Sequence, residues 1–359
     1  MPDRPFRALS IDGGGMRGAY TAAYLETVAK GFAARDKRDG LLDIGAGFDL
    51  IVGCSTGAII ALALAKGIPL SRVLALYREH GKKVFPVKIP GSLPGVLCQE
   101  FFKRGYLKRG EQALREALTQ VFDDITLGQL FDERKIAICI PAVNMGSQRA
   151  WVFKTSHLST SNHRDDDYKL VDICLASSAA PLYRSLASID TPGNSGAYNV
   201  FADGGLWANN PVLVALTEAL AHSESGRAIE IFSLGTCPRP EGDVIARDDV
   251  HWPLHKWKFG GRAAQVSIAA QEFAFDHMAR MLARHIGRPC CMVRFPSKPV
   301  PASVMEYLDL DDARPKAIDV LINQAQTDAH MTNSVCSDPT SADGKLICAL
   351  FASLPLARV

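Results

Sequence analysis

Asp12-Gly13-Gly14-Gly15-Met16-Arg17-Gly18 is the stretch on which the reading of this chain turns. A short apolar run precedes it, residues 6–11, whose alternation suits a strand. A helical pattern follows, carried by Ala19, Ala22, Ala23, Leu25, Val28 and Ala29. The order is strand, glycine-rich turn, helix. Three adjacent glycines let the backbone turn sharply and leave its N–H groups unshielded. Those donors sit where a helix begins, at its partially positive end. Such a loop holds either a phosphate or an oxyanion that forms only during reaction.

Gly13, Gly15 and Gly18 satisfy the G-x-G-x-x-G pattern of a dinucleotide fold. That fold also needs an acidic residue closing the next strand, roughly 20 residues on. The candidates are Asp36 and Asp39, in Arg35-Asp36-Lys37-Arg38-Asp39-Gly40, which reads as a solvated turn. A dinucleotide-dependent oxidoreductase is therefore one alternative. A tight turn without any ligand is another.

A second motif shifts the balance. Residues 48–52 form an apolar strand, Gly53-Cys54-Ser55-Thr56-Gly57 follows, and residues 58–66 are helical in pattern. This is G-x-S-x-G in the strand–turn–helix setting of a nucleophile elbow, which lifts a serine hydroxyl above the sheet. A serine needs a base. His222, His251, His255, His277, His285 and His330 are available, and none lies in a glycine-flanked turn after a strand. Asp203, in Phe201-Ala202-Asp203-Gly204-Gly205, closes a short apolar stretch and can accept the Ser55 proton directly.

With these three motifs in this order the chain resembles the patatin-like phospholipase family. The matching residues are Asp12 to Gly18, Gly53 to Gly57 and Asp203 to Gly205. Ala176-Ser177-Ser178-Ala179-Ala180-Pro181, Trp207-Ala208-Asn209-Asn210-Pro211 and Ser233-Leu234-Gly235-Thr236 are similar to the family as well. Cys54 departs from it mildly and reads as neutral packing. The resemblance implies a lipid acyl hydrolase with a Ser–Asp dyad and no histidine. Ser55 is then the nucleophile and Asp203 the base, and the N–H groups around Gly13, Gly14 and Gly15 form the oxyanion hole. Arg17 either steadies that loop or meets the lipid phosphate. Asp12, Gly18, Gly53, Gly57, Gly204 and Gly205 support the motifs.

The alternation of strands and helices predicts an α/β layered domain with a central, largely parallel sheet flanked by helices. Strands are expected near residues 6–11, 47–52, 135–140, 150–154, 199–202 and 229–234. Helices are expected near 18–34, 55–66, 70–80, 110–121, 168–176 and 211–222. After residue 240 the pattern becomes mostly helical, near 262–286 and 313–327, with a strand candidate at 292–295. The division expected is a catalytic domain over 1–240 and a helical extension or cover over 241–359.

Forty Lys and Arg against 38 Asp and Glu give a net charge of +2, which predicts no general pull on DNA or RNA. No apolar run approaches the roughly 20 residues that span a bilayer. The start of the chain carries no signal-peptide core, and the 9 cysteines include no C-x-x-C pair. The expectation is a cytoplasmic enzyme with no metal, acting peripherally on the inner membrane. Asp165-Asp166-Asp167 reads as a charged loop. Residues 82–110 hold seven basic side chains against Glu100, interleaved with Phe85, Phe101, Phe102 and Tyr106. Pro86, Pro90 and Pro94 argue against a long helix there, and an irregular basic loop suits an anionic lipid surface. Residues 251–259 have similar character.

Within the family, residues 6–25 and Tyr77-Arg78-Glu79-His80-Gly81 resemble short bacterial members that act as effectors of anti-phage (CBASS) signalling. That resemblance implies activation by a cyclic dinucleotide such as cyclic GMP–AMP, membrane phospholipid as substrate, and a possible homo-oligomer. A housekeeping lipid acyl hydrolase, active without ligand, is the alternative. No residue for binding the activator is legible.

Overall fold

The computed structural model describes residues 4–85, 93–237, 245–257, 260–296 and 300–357, with the backbone alone for 93–104. Strand β1 (Phe6–Ile11) is buried along its whole length. It lies between two parallel neighbours, β2 (Leu50–Gly53) and β7 (Ile229–Leu234). Strand β8 (Cys290–Phe295) adds in parallel to β7, and β3 (Ala137–Asn144) in parallel to β2. These strands are mostly apolar because a parallel sheet is covered on both faces, and the charged residues of β1 and β7, Arg7 and Glu230, pair with each other at 2.9 Å. The covers are α1 (Gly18–Arg35), α2 (Thr56–Lys66), α3 (Leu70–Val84), α4 (Leu93–Phe122), α5 (Leu127–Arg134) and α6 (Leu170–Ser177). They continue with α7 (Gly205–Ala208), α8 (Val212–His222) and α9 (Gly261–His285), while α10 (Pro315–Val335) and α11 (Ala342–Ala352) pack on α1.

The antiparallel end of the sheet positions the site. Strand β4 (Arg149–Lys154) pairs with β3 from Cys139 to Asn144 and so occupies one edge of β3. The other edge is shared. Strand β2 takes its first part, Val52 opposite Cys139, and β6 (Tyr198–Asp203) takes its last part, Asp203 opposite Ala142. Because β2 runs parallel to β3 and β6 antiparallel, their C-terminal ends point at each other. Strand β5 (Ala187–Asp190) pairs antiparallel with β6 and closes this side.

The C-terminal part is built into the same body. Strand β8 is a sheet strand, and α10 packs along α1 with Tyr20 Oη donating to Asp328 Oδ2 at 2.5 Å. The Phe32 and Phe351 rings stack at 4.9 Å and hold α11 on α1. Among the described residues no helix is long and apolar enough to cross a membrane.

Strand β5 and helices α5, α7 and α11 lie in stretches where neither strand nor helix was expected. Helix α4 begins at Leu93, although Pro94 argued against it. Pro94 is in the first turn, where the missing N–H has no intrahelical acceptor to lose. Of the basic, aromatic segment, residues 86–92 and the side chains of Phe101, Phe102, Lys103 and Arg104 lie outside the described residues. So do Lys258 and Phe259 of the second such segment.

Candidate active site

Ser55 sits between β2 and α2 with φ +55° and ψ −123°, a left-handed backbone rarely adopted by a side-chain-bearing residue. The turn is pinned on several sides. Ser55 N–H donates to Ser177 Oγ at 2.9 Å, and Ser177 Oγ donates to Pro141 O at 2.7 Å. Gly57 permits the close approach of α2 to the end of β1: a Cβ there would lie 2.6 Å from both Ile11 O and Asp12 O. A Cβ on Gly53 would strike Gly57 O, and one on Gly18 the Tyr77 hydroxyl. Cys54 is buried in packing, and burial pushes its thiol pKa well up.

Ser55 Oγ donates to Asp203 Oδ2 at 2.7 Å. The other carboxylate oxygen accepts the Gly205 N–H at 2.6 Å. A Cβ on Gly204 would lie 2.3 Å from Pro141 O, so the chain passes tightly against β3 here. Burial raises the Asp203 pKa to about 6, opposed by the bonds from Ser55 and Gly205 and by the Arg184 charge. Asp203 is therefore mostly ionised at neutral pH and more basic than an ordinary carboxylate.

The glycine loop faces this pair. Gly13 O accepts from Thr236 Oγ1 at 2.9 Å and from Asn209 Nδ2 at 3.3 Å. Gly14 O accepts from Arg17 N at 3.0 Å and Arg17 Nε at 3.4 Å. In a planar trans peptide the following N–H points opposite to the carbonyl. Holding these two carbonyls thus turns the N–H groups of Gly14 and Gly15 away from Thr236, Asn209 and Arg17 N. Neither N–H has an acceptor among the described residues, and both glycines line the cleft that holds Ser55 and Asp203. Gly15 has φ +56°, and a Cβ on it would lie 2.3 Å from Leu310 O. Gly13 differs from the expectation for it. Its N–H donates to Asn209 O at 2.9 Å, so it anchors the loop and has no donor left for an oxyanion.

The cleft, of about 120 Å³, is walled mainly by apolar groups, including Met16, Ile59, Leu76, Val84 and Leu114. Leu182 and Leu206, 44% and 46% exposed, line its rim, and α9 contributes Ala264, Gln265 and Ile268. Among the described residues, no histidine lines it.

Residues 9–216 match the sequence profile of the Patatin family, patatin-like phospholipase. The chain belongs to the patatin-like phospholipase family. It is 35% identical over 281 residues to a cGAMP-activated phospholipase of Pseudomonas aeruginosa, covering 77% of this chain and 74% of that one. A cGAMP-activated phospholipase of Escherichia coli is 30% identical over 300 residues, 79% of this chain and 78% of its own. One from Vibrio cholerae is 33% identical over 216 residues, 59% of this chain and 57% of its own. The chain is a patatin-like serine hydrolase, homologous to these cGAMP-activated phospholipases.

Behind the patatin-like glycine loop lies a polar cavity of about 330 Å³, lined by Asp12, Arg17, Glu272, Asp276 and Arg294 among others. Arg294 Nη2 donates to Asp12 Oδ2 at 2.5 Å and Nη1 to Ser233 Oγ at 2.8 Å. Burial lifts the Asp12 pKa to about 7 against the pull of Arg294. Asp12 thus supports the loop from behind and does not line the cleft. Asn209 bonds Glu272 Oε1 through Nδ2 and Gln271 Oε1 through its N–H, tying α9 to the loop anchor.

The dinucleotide reading finds no support in the phospholipase assignment or in the position of Asp36. That residue closes α1 and pairs with Arg35 and Arg38, each at 3.1 Å, away from a strand end. The best metal-like grouping among the described residues is Cys139, His157 and Glu218, with donor atoms within 4.8 Å of one another. It is internally satisfied: His157 bonds Thr155 Oγ1 and Glu218 Oε1, and Lys154 Nζ lies 3.3 Å from Glu218. In the Asp165-Asp166-Asp167 loop, Asp165 and Asp166 are taken up by Arg164 and by Ser156 and His163.

Arg294, Glu272 and Arg184 are the site residues that sequence reasoning missed. Arg294 lies 282 positions from Asp12 with no motif around it, and only the β7–β8 pairing brings it near. Asn209, Thr236 and Ser177 were inside family-like stretches without a role attached to them.

Proposed function

We propose that this chain is a phospholipase A-type lipid acyl hydrolase in which Ser55 and Asp203 form the catalytic dyad, switched on by a cyclic dinucleotide such as cyclic GMP–AMP. The observation that carries the chemistry is the 2.7 Å bond from Ser55 Oγ to Asp203 Oδ2, beside two N–H groups with no acceptor among the described residues, in an apolar cleft. Ser55 Oγ attacks the ester carbonyl while Asp203 takes its proton. The Gly14 and Gly15 N–H groups hold the oxyanion, and one such donor is worth about 10²–10³ in rate. Collapse breaks the ester C–O bond. The leaving alcohol takes the proton from Asp203, and an acyl group remains on Ser55. Water, deprotonated by the same carboxylate, then releases the fatty acid and restores the serine.

Phospholipid as substrate is supported by the apolar wall and by the leucines at the rim, which suit contact with a membrane surface from the cytoplasmic side. Activation is supported by the names of the relatives and by how the loop is held. Met16 N–H donates to Leu310 O at 2.9 Å, and α9 grips Asn209, so a ligand that shifts either element reaches the oxyanion donors. Taking a switch from about 1:99 to 99:1 needs roughly 5.5 kcal/mol of differential binding, within reach of a ligand with two phosphates and two bases. Such a ligand works either by moving these elements or by assembling subunits.

The test is phospholipid hydrolysis by the purified protein across a panel of cyclic dinucleotides, with Ser55→Ala as blank. Near silence alone and strong stimulation by one member are expected. Full activity without a nucleotide, unchanged on adding one, would leave a constitutive lipase.

A further inference from the structure

Arg184 lines the cleft and has no part in the chemistry proposed for it. It lies in the turn between α6 and β5, is only 8% exposed, and forms no ion pair within 4 Å among the described residues. Its one described side-chain bond runs from Nη1 to Ser178 Oγ at 3.3 Å, and that hydroxyl already donates to Cys174 O. Glu111 and Asp203 act on it only at longer range. Burial draws its pKa down to about 10, so it stays cationic at neutral pH. A guanidinium offers five N–H donors, and burying its charge without a close counter-ion is costly to the fold. A cation held under those conditions beside a nucleophile is a subsite waiting for an anion.

We infer that Arg184 is the counter-ion for the phosphodiester of the phospholipid, marking a headgroup subsite in the same cleft as Ser55. The inference rests on the phospholipase reading. In a glycerophospholipid the phosphate is two glycerol carbons from the sn-2 ester oxygen, so both must fit one cleft. Arg17, the other arginine lining it, holds Gly14 O through Nε at 3.4 Å and braces the loop. The apolar walls at Ile59, Leu76 and Val84 suit an acyl chain and are a poor match for a nucleotide. The anion is therefore a lipid phosphate and not that of a soluble ligand. Arg184 also favours the ionised form of Asp203, so the bound phosphate and the base share one cation.

The experiment uses the Ser55→Ala protein, so that nothing is consumed, with and without cyclic GMP–AMP. Calorimetry compares a short-chain diether phosphocholine, the matching diether glycerol without phosphate, glycerophosphocholine without chains, and cyclic GMP–AMP itself. The phosphate-bearing diether is expected to bind at least about tenfold more tightly than the neutral one, as a charge-assisted hydrogen bond allows. Arg184→Met is expected to bring that ratio close to one. Its melting temperature should be unchanged or higher, because a buried lone charge has been removed; a purely structural arginine would leave it lower. Equal binding of the two diethers by the Ser55→Ala protein overturns the inference alone, without a further variant. An unchanged ratio in Arg184→Met, or a loss confined to cyclic GMP–AMP, overturns it too. If neither diether binds, the phospholipase reading falls and this inference with it.

Discussion

Ser55 and Asp203, 148 residues apart, meet because β2 and β6 end head to head on one edge of β3. Three residue steps along β3 separate their last pairings, Cys139 and Ala142, a gap of roughly 10 Å at about 3.4 Å per residue. The elbow after β2 and the glycine turn after β6 fill that gap from opposite sides. A strand reversal thereby brings a carboxylate within hydrogen-bond reach of the serine hydroxyl directly, 2.7 Å from Ser55 Oγ to Asp203 Oδ2.

Asp203→Asn keeps the shape and removes the base. Turnover of a short-chain ester should fall by about 10²–10⁴, and Ser55→Ala combined with it should be hardly worse than either change alone. The stability effect has the opposite sign. The folded Asp203 pKa of about 6 lies above the usual 3.8, so the unfolded carboxyl ionises first and stability is lost as pH rises between them. At pH 8 the asparagine variant should be more stable by up to about 3 kcal/mol, read from urea unfolding. A variant with normal turnover removes Asp203 from the mechanism.

The same carboxylate sets the pH profile. Only its ionised form accepts the serine proton, so kcat/KM on a soluble ester should fall as pH drops through about 6. A flat profile from pH 8 to pH 5 contradicts its role as base.

The Ser55–Asp203 pairing and the glycine loop beside it were legible in the sequence for a physical reason. A strained elbow at Ser55 and close backbone approaches at Gly15 and Gly57 demand particular residue types at fixed spacing, and such demands leave motifs. Arg294 left none, because an arginine reaches its partner from any element that passes nearby. Gly13 shows the limit of a motif. Its place in the loop was readable, but the bond from its N–H to Asn209 O depends on the turn after α7. Helix α4 was obscured by reading Pro94 as a breaker when it stands in a first turn.

Arg294→Met leaves the buried Asp12 carboxylate without its partner. The loss should be about 3–5 kcal/mol, larger at pH 8 than at pH 6, because the unpaired carboxyl, already raised to about 7, protonates more readily at the lower pH. Asp12→Asn with Arg294→Met should recover most of it, a coupling that a double-mutant cycle in urea reads directly. Additive losses would mean that the pair does not act as a unit.

Gly14→Ala places a Cβ 2.6 Å from Thr236 Oγ1, the group that holds Gly13 O. The loop must shift, and its donors with it. We expect kcat to fall by about 10²–10³ with KM little changed, since the oxyanion exists only along the reaction path. A raised KM with kcat intact would assign the loop to ground-state binding.

The account rests on Asp203 activating Ser55, and the rate of covalent capture of that serine tests it most directly. A fluorophosphonate with a short alkyl chain, followed by mass spectrometry of the intact and digested protein, should place one adduct on Ser55 of the wild type. Folded Asp203→Asn should react at least about 10²-fold more slowly at pH 8. An adduct on Ser55 of Asp203→Asn at the wild-type rate, or an adduct on another residue of the wild type, would contradict the dyad.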